Sequence, residues 1–203
     1  MRTIVPFDAV DPKTRLSPVL DADERQDFAS VMRDHVIDAL DAAGFDPTVL
    51  ATGSCDPDAP VRVDDRSLST AVNTVLEEWD RPCAIAMADL GIATPAAFGR
   101  LRETDGEVVI APGRGGGTNA LVVREGDFRV DYHGISCRDH REAAASVDAA
   151  TATVDSMRLA TDIDEPDDLV EVLLHGAGSV PAWLRDHGVE LLADGGRVTV
   201  ERR

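Results

Sequence analysis

The 203-residue chain predicts an α/β fold, a three-layer sandwich in which a mixed, mostly parallel sheet carries helices on both faces. Two observations predict it. Short apolar runs alternate with stretches of helical periodicity in the order β-α-β-α-β from Thr3 to Ala88. One of those runs, Cys83 to Ala88, is continuously apolar, the pattern of a strand covered on both sides. The length suits a single domain, and an apolar share of 43% is that of an ordinary globular protein.

Thr3 to Pro6 reads as the first strand. Asp21 to Ala43 follows as an amphipathic helix with Phe28, Val31, Met32, His35, Val36, Ala39 and Leu40 on one face, and Gly44 ends it. His35 on that face reads as a core histidine. Pro47 to Ala51 is a short strand and Ser67 to Glu78 a second helix; Cys83 to Ala88 is the next strand, leading directly into Asp89. Thr94 caps a helix to Arg102, and Glu107 to Ala111 is a strand. Ala120 to Val123 and Phe128 to Tyr132, apolar runs with Gly126 between them, predict a hairpin that breaks the parallel pattern. Arg138 to Val147 is expected to be helical, Thr153 to Leu159 extended, and Glu165 to His175 a helix opened by Pro166. A last helix over Ser179 to His187 and a terminal hairpin over Val189 to Val200, turning at Asp194-Gly195-Gly196, complete the chain.

The formal charge is −18, from 38 acidic and 20 basic residues, and the acids are spread over every segment. At ~1 M salt the reach of charge repulsion shrinks to about 3 Å, so this surface predicts adaptation to a salt-rich cytoplasm rather than a patch for a basic partner. No stretch clusters enough arginine to track a nucleic acid backbone. Cys55, Cys83 and Cys137 form no close pair, which indicates reduced thiols without a zinc site. The N-terminus lacks the apolar run of a signal peptide, and no run approaches the ~20 residues of a membrane span. A soluble, cytoplasmic protein is expected.

Lys13 is the only lysine. It sits in the loop after the first strand, where α/β proteins handle phosphate, beside Arg15; a flexible ammonium there can follow a phosphoryl group. Asp89 stands at a strand's carboxyl end, facing the same predicted crevice. Gly115-Gly116-Gly117-Thr118-Asn119 lets backbone amides converge on an anion. Asp162 and Asp164, two residues apart in an extended stretch, point the same way and suit a magnesium ion that also takes phosphate oxygens and water. His133 and His140 flank Ser136, near a ligand or merely in a surface loop. Such a set can run nucleotidyl transfer by positioning and charge neutralisation alone.

These residues carry a family resemblance. Pro12-Lys13-Thr14-Arg15-Leu16-Ser17-Pro18 with Glu24-Arg25, Ala88-Asp89-Leu90, Gly117-Thr118-Asn119-Ala120-Leu121, Ser136 with His140, and Asp162-Ile163-Asp164-Glu165-Pro166-Asp167-Asp168-Leu169 resemble the 2-phospho-L-lactate guanylyltransferases of the coenzyme F420 pathway, over about residues 1 to 175. The resemblance implies a GT-A-like, Rossmann-like nucleotidyltransferase fold, a homodimer, Mg2+, and transfer of GMP from GTP to 2-phospho-L-lactate. It also implies metal ligation by Asp89, Asp162 and Asp164, with Lys13 and Arg15 facing the triphosphate. Thr118 and Ser136, with Gly117 and Asn119, would meet the acceptor. Gly91, Leu68-Ser69 and His133-Gly134-Ile135 depart from the family's usual proline, Leu-Asn and Gly-Pro-Gly, which leaves base and acceptor open: phosphoenolpyruvate, 3-phosphoglycerate or a sugar phosphate are alternatives, as is a catalytically silent relative. The first loop lacks the glycines expected of sugar-phosphate and molybdopterin nucleotidyltransferases, and a GT-A glycosyltransferase would lack the Lys13 loop.

Overall fold

Strand β1 (Arg2–Phe7) lies inside a seven-stranded sheet, third from one edge, and the chain builds outward from it in both directions. It is a computed structural model that describes the backbone of residues 1–203 and every side chain except that of Asp194. From β1 the chain passes through helix α1 (Ala22–Ala42) to β2 (Asp46–Ala51) and β3 (Val61–Val63), which extend the sheet to one side in parallel. It returns through α2 (Leu68–Glu78) to β4 (Cys83–Ala86), parallel to β1 on its other side. The strand order reverses between β1 and β4, and at such a switch the connecting loops part to leave a crevice at the strands' carboxyl ends.

Beyond β4 come α3 (Pro95–Glu103), β5 (Val108–Pro112), β6 (Thr118–Val123), α4 (Ser136–Ser146) and β7 (Thr151–Thr153). The sheet order is β3-β2-β1-β4-β6-β5-β7, and β6 alone runs against its neighbours β4 and β5. The expected α/β class and mixed, mostly parallel sheet are therefore present. Alternation along each strand sends Val5, Ala84, Val109 and Val122 to a core under α1 and α3. Ile4, Ile85, Ile110 and Leu121 go to a second core under α2 and α4. A third cluster joins Phe28 and Met32 of α1 to α6 (Asp168–His175), α7 (Ser179–Asp186) and the terminal hairpin of β8 (Val189–Asp194) and β9 (Arg197–Arg202).

Three expectations are corrected. The hairpin is formed by β5 and β6 around the glycine loop, not by Ala120–Val123 with Phe128–Tyr132. Phe128 and Val130 are buried as expected, but their backbone pairs with side chains: Asn73 of α2 donates to the Val130 carbonyl at 2.9 Å and accepts its N–H at 2.8 Å. The Tyr132 N–H donates to Ser69 Oγ at 2.9 Å. Second, the stretch from Thr153 to Leu159 is not extended throughout; β7 ends at Thr153 and a one-turn helix α5 (Met157–Ala160) follows. Third, α6 begins at Asp168 rather than Glu165, because Asp168 Oδ2 accepts the N–H groups of Asp164 and Glu165 and holds that segment in a turn. His35 is half-buried, with Nε2 2.9 Å from the Ala93 carbonyl.

The third cluster is what attaches the C-terminal elements to α1, and Phe28, fully buried with its ring 5.0 Å from that of Trp183, is at its centre. Phe28→Ala is expected to cost about 3–5 kcal/mol, read as a fall in the denaturant midpoint at high salt; a loss below about 1 kcal/mol would show that the C-terminal elements add little to the cooperative unit.

Candidate active site

The carboxyl ends of β1 and β4 and the amino end of the reversed β6 meet at one edge of the sheet, because Ala86 pairs with Ala120 and the Met87 N–H donates to the Asn119 carbonyl at 2.9 Å. Each supplies a segment to the crevice. The loop after β1 is tied down at Ala9, whose N–H donates to Thr52 Oγ1 at 2.9 Å, and at Leu16, which is fully buried. Between them Lys13 adopts φ 55°, ψ 38°, a left-handed conformation that costs a residue with a β-carbon about 1 kcal/mol or more. The side chain justifies it. Lys13 Nζ donates to Asp89 Oδ2 at 2.6 Å and to Asp164 Oδ1 at 2.7 Å.

Lys13 therefore brings together three of the residues singled out in the sequence. Burial would lower its pKa, but the two carboxylates outweigh that and hold the ammonium above the ordinary lysine range. Arg15 is more exposed; it donates to Asp164 Oδ2 at 2.5 Å and to Glu165 at 3.0 Å. A backbone bond closes the cluster: the Ile163 N–H donates to the Asp89 carbonyl at 3.1 Å while the Ile163 side chain is buried. Asp162 and Asp164, on either side of Ile163, both line the crevice. Asp162 Oδ1 accepts from Asn119 Nδ2 at 3.1 Å. Its pKa is raised, chiefly by burial and further by Asp89 and Asp164, against the Asn119 bond. Asn119 Nδ2 also donates to the Leu159 carbonyl at 3.0 Å, so its amide group is committed to holding Asp162 and the backbone beside it.

The crevice is three adjoining cavities that share Met87. The largest, about 520 Å3, is lined by Arg15, Asp89, the 113–119 loop, Tyr132, Ser136, Asp162 and Asp164. One of about 250 Å3 lies over Lys13, Asp8 and Asp89, and one of about 260 Å3 over Leu50, Thr52, Asp64, Arg66 and Leu68. In the largest, the glycine loop bends through Gly116 at φ 85°, and the Gly116 carbonyl accepts the Cys137 N–H at 3.1 Å. That bond seats the first turn of α4 on the loop. Ser136 opens α4 with Gly117 and Thr118 across the same cavity, and a helix N-terminus favours negative charge. His133 is apart from this, exposed and paired with Asp131 at 2.6 Å. His140 is wholly buried, with Nδ1 2.9 Å from Thr118 Oγ1. Asp168, which shapes the turn carrying Asp164, and Arg114, which reaches it at 2.6 Å, were not singled out as site residues in the sequence, although Asp168 stands inside the Asp-Ile-Asp motif region.

Among the described residues no group of three His, Cys, Asp or Glu side chains is arranged to hold a metal ion; the ammonium of Lys13 occupies the position between Asp89 and Asp164. The donors nevertheless suit a hard cation. Asp89 Oδ1 is buried without a hydrogen-bond partner, and Asp162 adds a carboxylate at the same cavity. Magnesium asks only one or two carboxylates when substrate phosphate oxygens and water complete its shell.

The fold and this crevice define a nucleotidyltransferase. A nucleotidyl transferase from Methanothermobacter has the same fold, with a TM-score of 0.57 over 92% of this chain and 99% of that one at 15% identity. Residues 1–200 match the family described as guanylyl transferase, CofC-like, and the chain belongs to that family. It is 59% identical over the full length of both chains to a 2-phospho-L-lactate guanylyltransferase of Halomicrobium mukohataei. It is 55% identical, again over both full lengths, to the 2-phospho-L-lactate guanylyltransferase of Natronomonas pharaonis.

Two outcomes test this geometry. Removing the ammonium from between two carboxylates leaves like charges unpaired, so Lys13→Met is expected to lose about 3 kcal/mol of stability, most of it recovered when Asp89→Asn is added; an unchanged melting temperature would mean the three groups are not in contact in solution. His140 is the second. Burial lowers its pKa from 6.5 to about 4, so between those values the unfolded chain binds the proton and the folded one does not. Stability should then rise with pH across this window and fall by up to about 3 kcal/mol on acidification to pH 4, and comparison of urea midpoints with those of His140→Gln isolates the contribution.

Proposed function

We propose that this chain, as a cytoplasmic homodimer, transfers GMP from GTP to the phosphate of 2-phospho-L-lactate, forming lactyl-2-diphospho-guanosine and releasing pyrophosphate for coenzyme F420 biosynthesis. The observation that carries the reading is the Lys13–Asp89–Asp164 cluster at the strand switch, set beside a second polar cavity built from Thr118 and Ser136. The names of the full-length relatives supply the two substrates. One cavity suits a triphosphate, one a small doubly anionic acceptor, and the third, beside Leu68 and Asp64, a base.

Lys13 and Arg15 bind the β- and γ-phosphates and follow them as pyrophosphate departs, which requires Lys13 to release the carboxylates it now holds. Thr118, Ser136 and the backbone of Gly117 hold the acceptor's carboxylate and phosphate so that one phosphate oxygen lies in line with the α-phosphorus. That oxygen forms the new P–O bond while the bond from the α-phosphorus to the bridging oxygen of pyrophosphate breaks. Asp89, Asp162 and Asp164 would hold Mg2+, which when bound neutralises charge on the phosphate oxygens. Asn119 keeps Asp162 aimed at the cavity, and no protein nucleophile is needed.

Pyrophosphate release, with mass detection of the adduct, tests the assignment in high salt with magnesium, GTP or ATP, and each of 2-phospho-L-lactate, phosphoenolpyruvate and 3-phosphoglycerate. Release that requires GTP and 2-phospho-L-lactate together is expected; release with another acceptor only would reassign the substrate. Asp89→Asn should fold normally and lose roughly 10²-fold or more in kcat, since a neutral amide is a poor replacement for a charged ligand. Turnover near that of the parent would remove Asp89 from the mechanism.

A further inference from the structure

We infer that His140 is a positioning residue for the acceptor: its Nδ1–H donates to the Thr118 hydroxyl and so turns that hydroxyl's own proton outward, toward an anionic oxygen of the substrate. The inference rests on the acceptor reading just given and adds to it a side chain that does not line the cavity. His140 lies one helical turn beyond Ser136, on the same face of α4. Its ring is wholly buried, edge-on to Tyr132 with centroids 4.9 Å apart and to Phe128 at 6.0 Å. Nδ1 is 2.9 Å from Thr118 Oγ1, and Nε2, also buried, has no hydrogen-bond partner among the described residues.

The choice of tautomer follows from this asymmetry. A ring buried between aromatic neighbours is neutral, with one N–H and one lone pair. If Nδ1 held the lone pair, Thr118 would spend its proton on the histidine, leaving a buried Nε2–H with no acceptor. Orphaned buried N–H groups are rarer than under-used acceptors, so the N–H belongs on Nδ1. The substrate side requires the same arrangement. A carboxylate or phosphate near neutral pH is chiefly an acceptor, and a hydroxyl presenting only lone pairs to it would repel it. With His140 as donor, Thr118 accepts from inside the protein and donates into the cavity, where Ser136 and the α4 N-terminus already favour negative charge.

Steady-state kinetics with magnesium, GTP and 2-phospho-L-lactate test this with His140→Leu, His140→Gln and His140→Asn. The amide nitrogen of asparagine falls near the place of Nδ1, whereas that of glutamine falls near Nε2. The leucine and glutamine variants are expected to raise the KM for 2-phospho-L-lactate about tenfold, leave the KM for GTP within about twofold, and be largely rescued by asparagine. If leucine prevents folding, the asparagine and glutamine variants decide between them. An equal rise in both KM values, no rise in either, or a glutamine variant as good as asparagine overturns the inference. Thr118→Val separates the two levels: an unchanged acceptor KM in that variant sinks the acceptor reading itself. A raised KM in Thr118→Val with none in His140→Gln sinks only the role of His140.

Discussion

The site depends on one ammonium group held between two carboxylates. Lys13 follows β1, Asp89 follows β4, and Asp164 precedes α6, segments separated by 76 and 151 residues along the chain. Nothing local brings them together. The sheet places the first two side by side because β1 and β4 are neighbours across the point where strand order reverses, and the Ile163 N–H to Asp89 carbonyl bond brings the third. The ion pairs then fix the rotamers that packing leaves free. Their partial burial gives them more weight than surface pairs such as Arg138 with Glu142, which are exposed and screened by salt.

The same cluster is a placeholder for charge. A cleft with three carboxylates and no cation would repel itself, and lysine satisfies it in the absence of substrate. In the proposed reaction a nucleotide arriving with its counterion would bring the opposite pair: anionic phosphates for Lys13 and a cation for the acids. Such an exchange of partners would leave the number of neutralised charges nearly constant. The left-handed backbone at Lys13 is consistent with a position where the side chain's chemistry outweighs local comfort.

Element order was legible in the sequence because apolar periodicity reports burial, and burial in this fold follows the sheet. It failed where burial and strand pairing part company. Phe128 and Val130 are as buried as any strand residue, yet Asn73 and Ser69 of α2 satisfy the backbone of Val130 and Tyr132 in place of a neighbouring strand, which no pattern of apolar residues can reveal. The edge strand β3 was missed for the opposite reason: Val61 and Val63 are exposed, and three residues carry too little alternation to read. Of the site, the lysine loop and Asp89 were legible from their places after predicted strands, and the Asp-Ile-Asp pair from its alternation in an extended stretch before a helix. The contacts that assemble them were not, because Asn119 to Asp162 and His140 to Thr118 depend on which strand reverses.

That reversal has a mechanical consequence. In a wholly parallel sheet, residues at the carboxyl edge are loop residues, positioned by whatever the loop packs against. Turning β6 around puts the beginning of a strand at this edge, so Thr118 enters the crevice paired to Pro112 of β5 and Asn119 enters it with its carbonyl accepting the N–H of Met87, the residue after β4. Their backbones inherit the stiffness of the sheet, and the crevice acquires one wall made of strand rather than loop, opposite Lys13 and Arg15. A ligand entering the crevice therefore meets, on its β6 side, backbone that cannot shift without breaking pairing in the sheet itself.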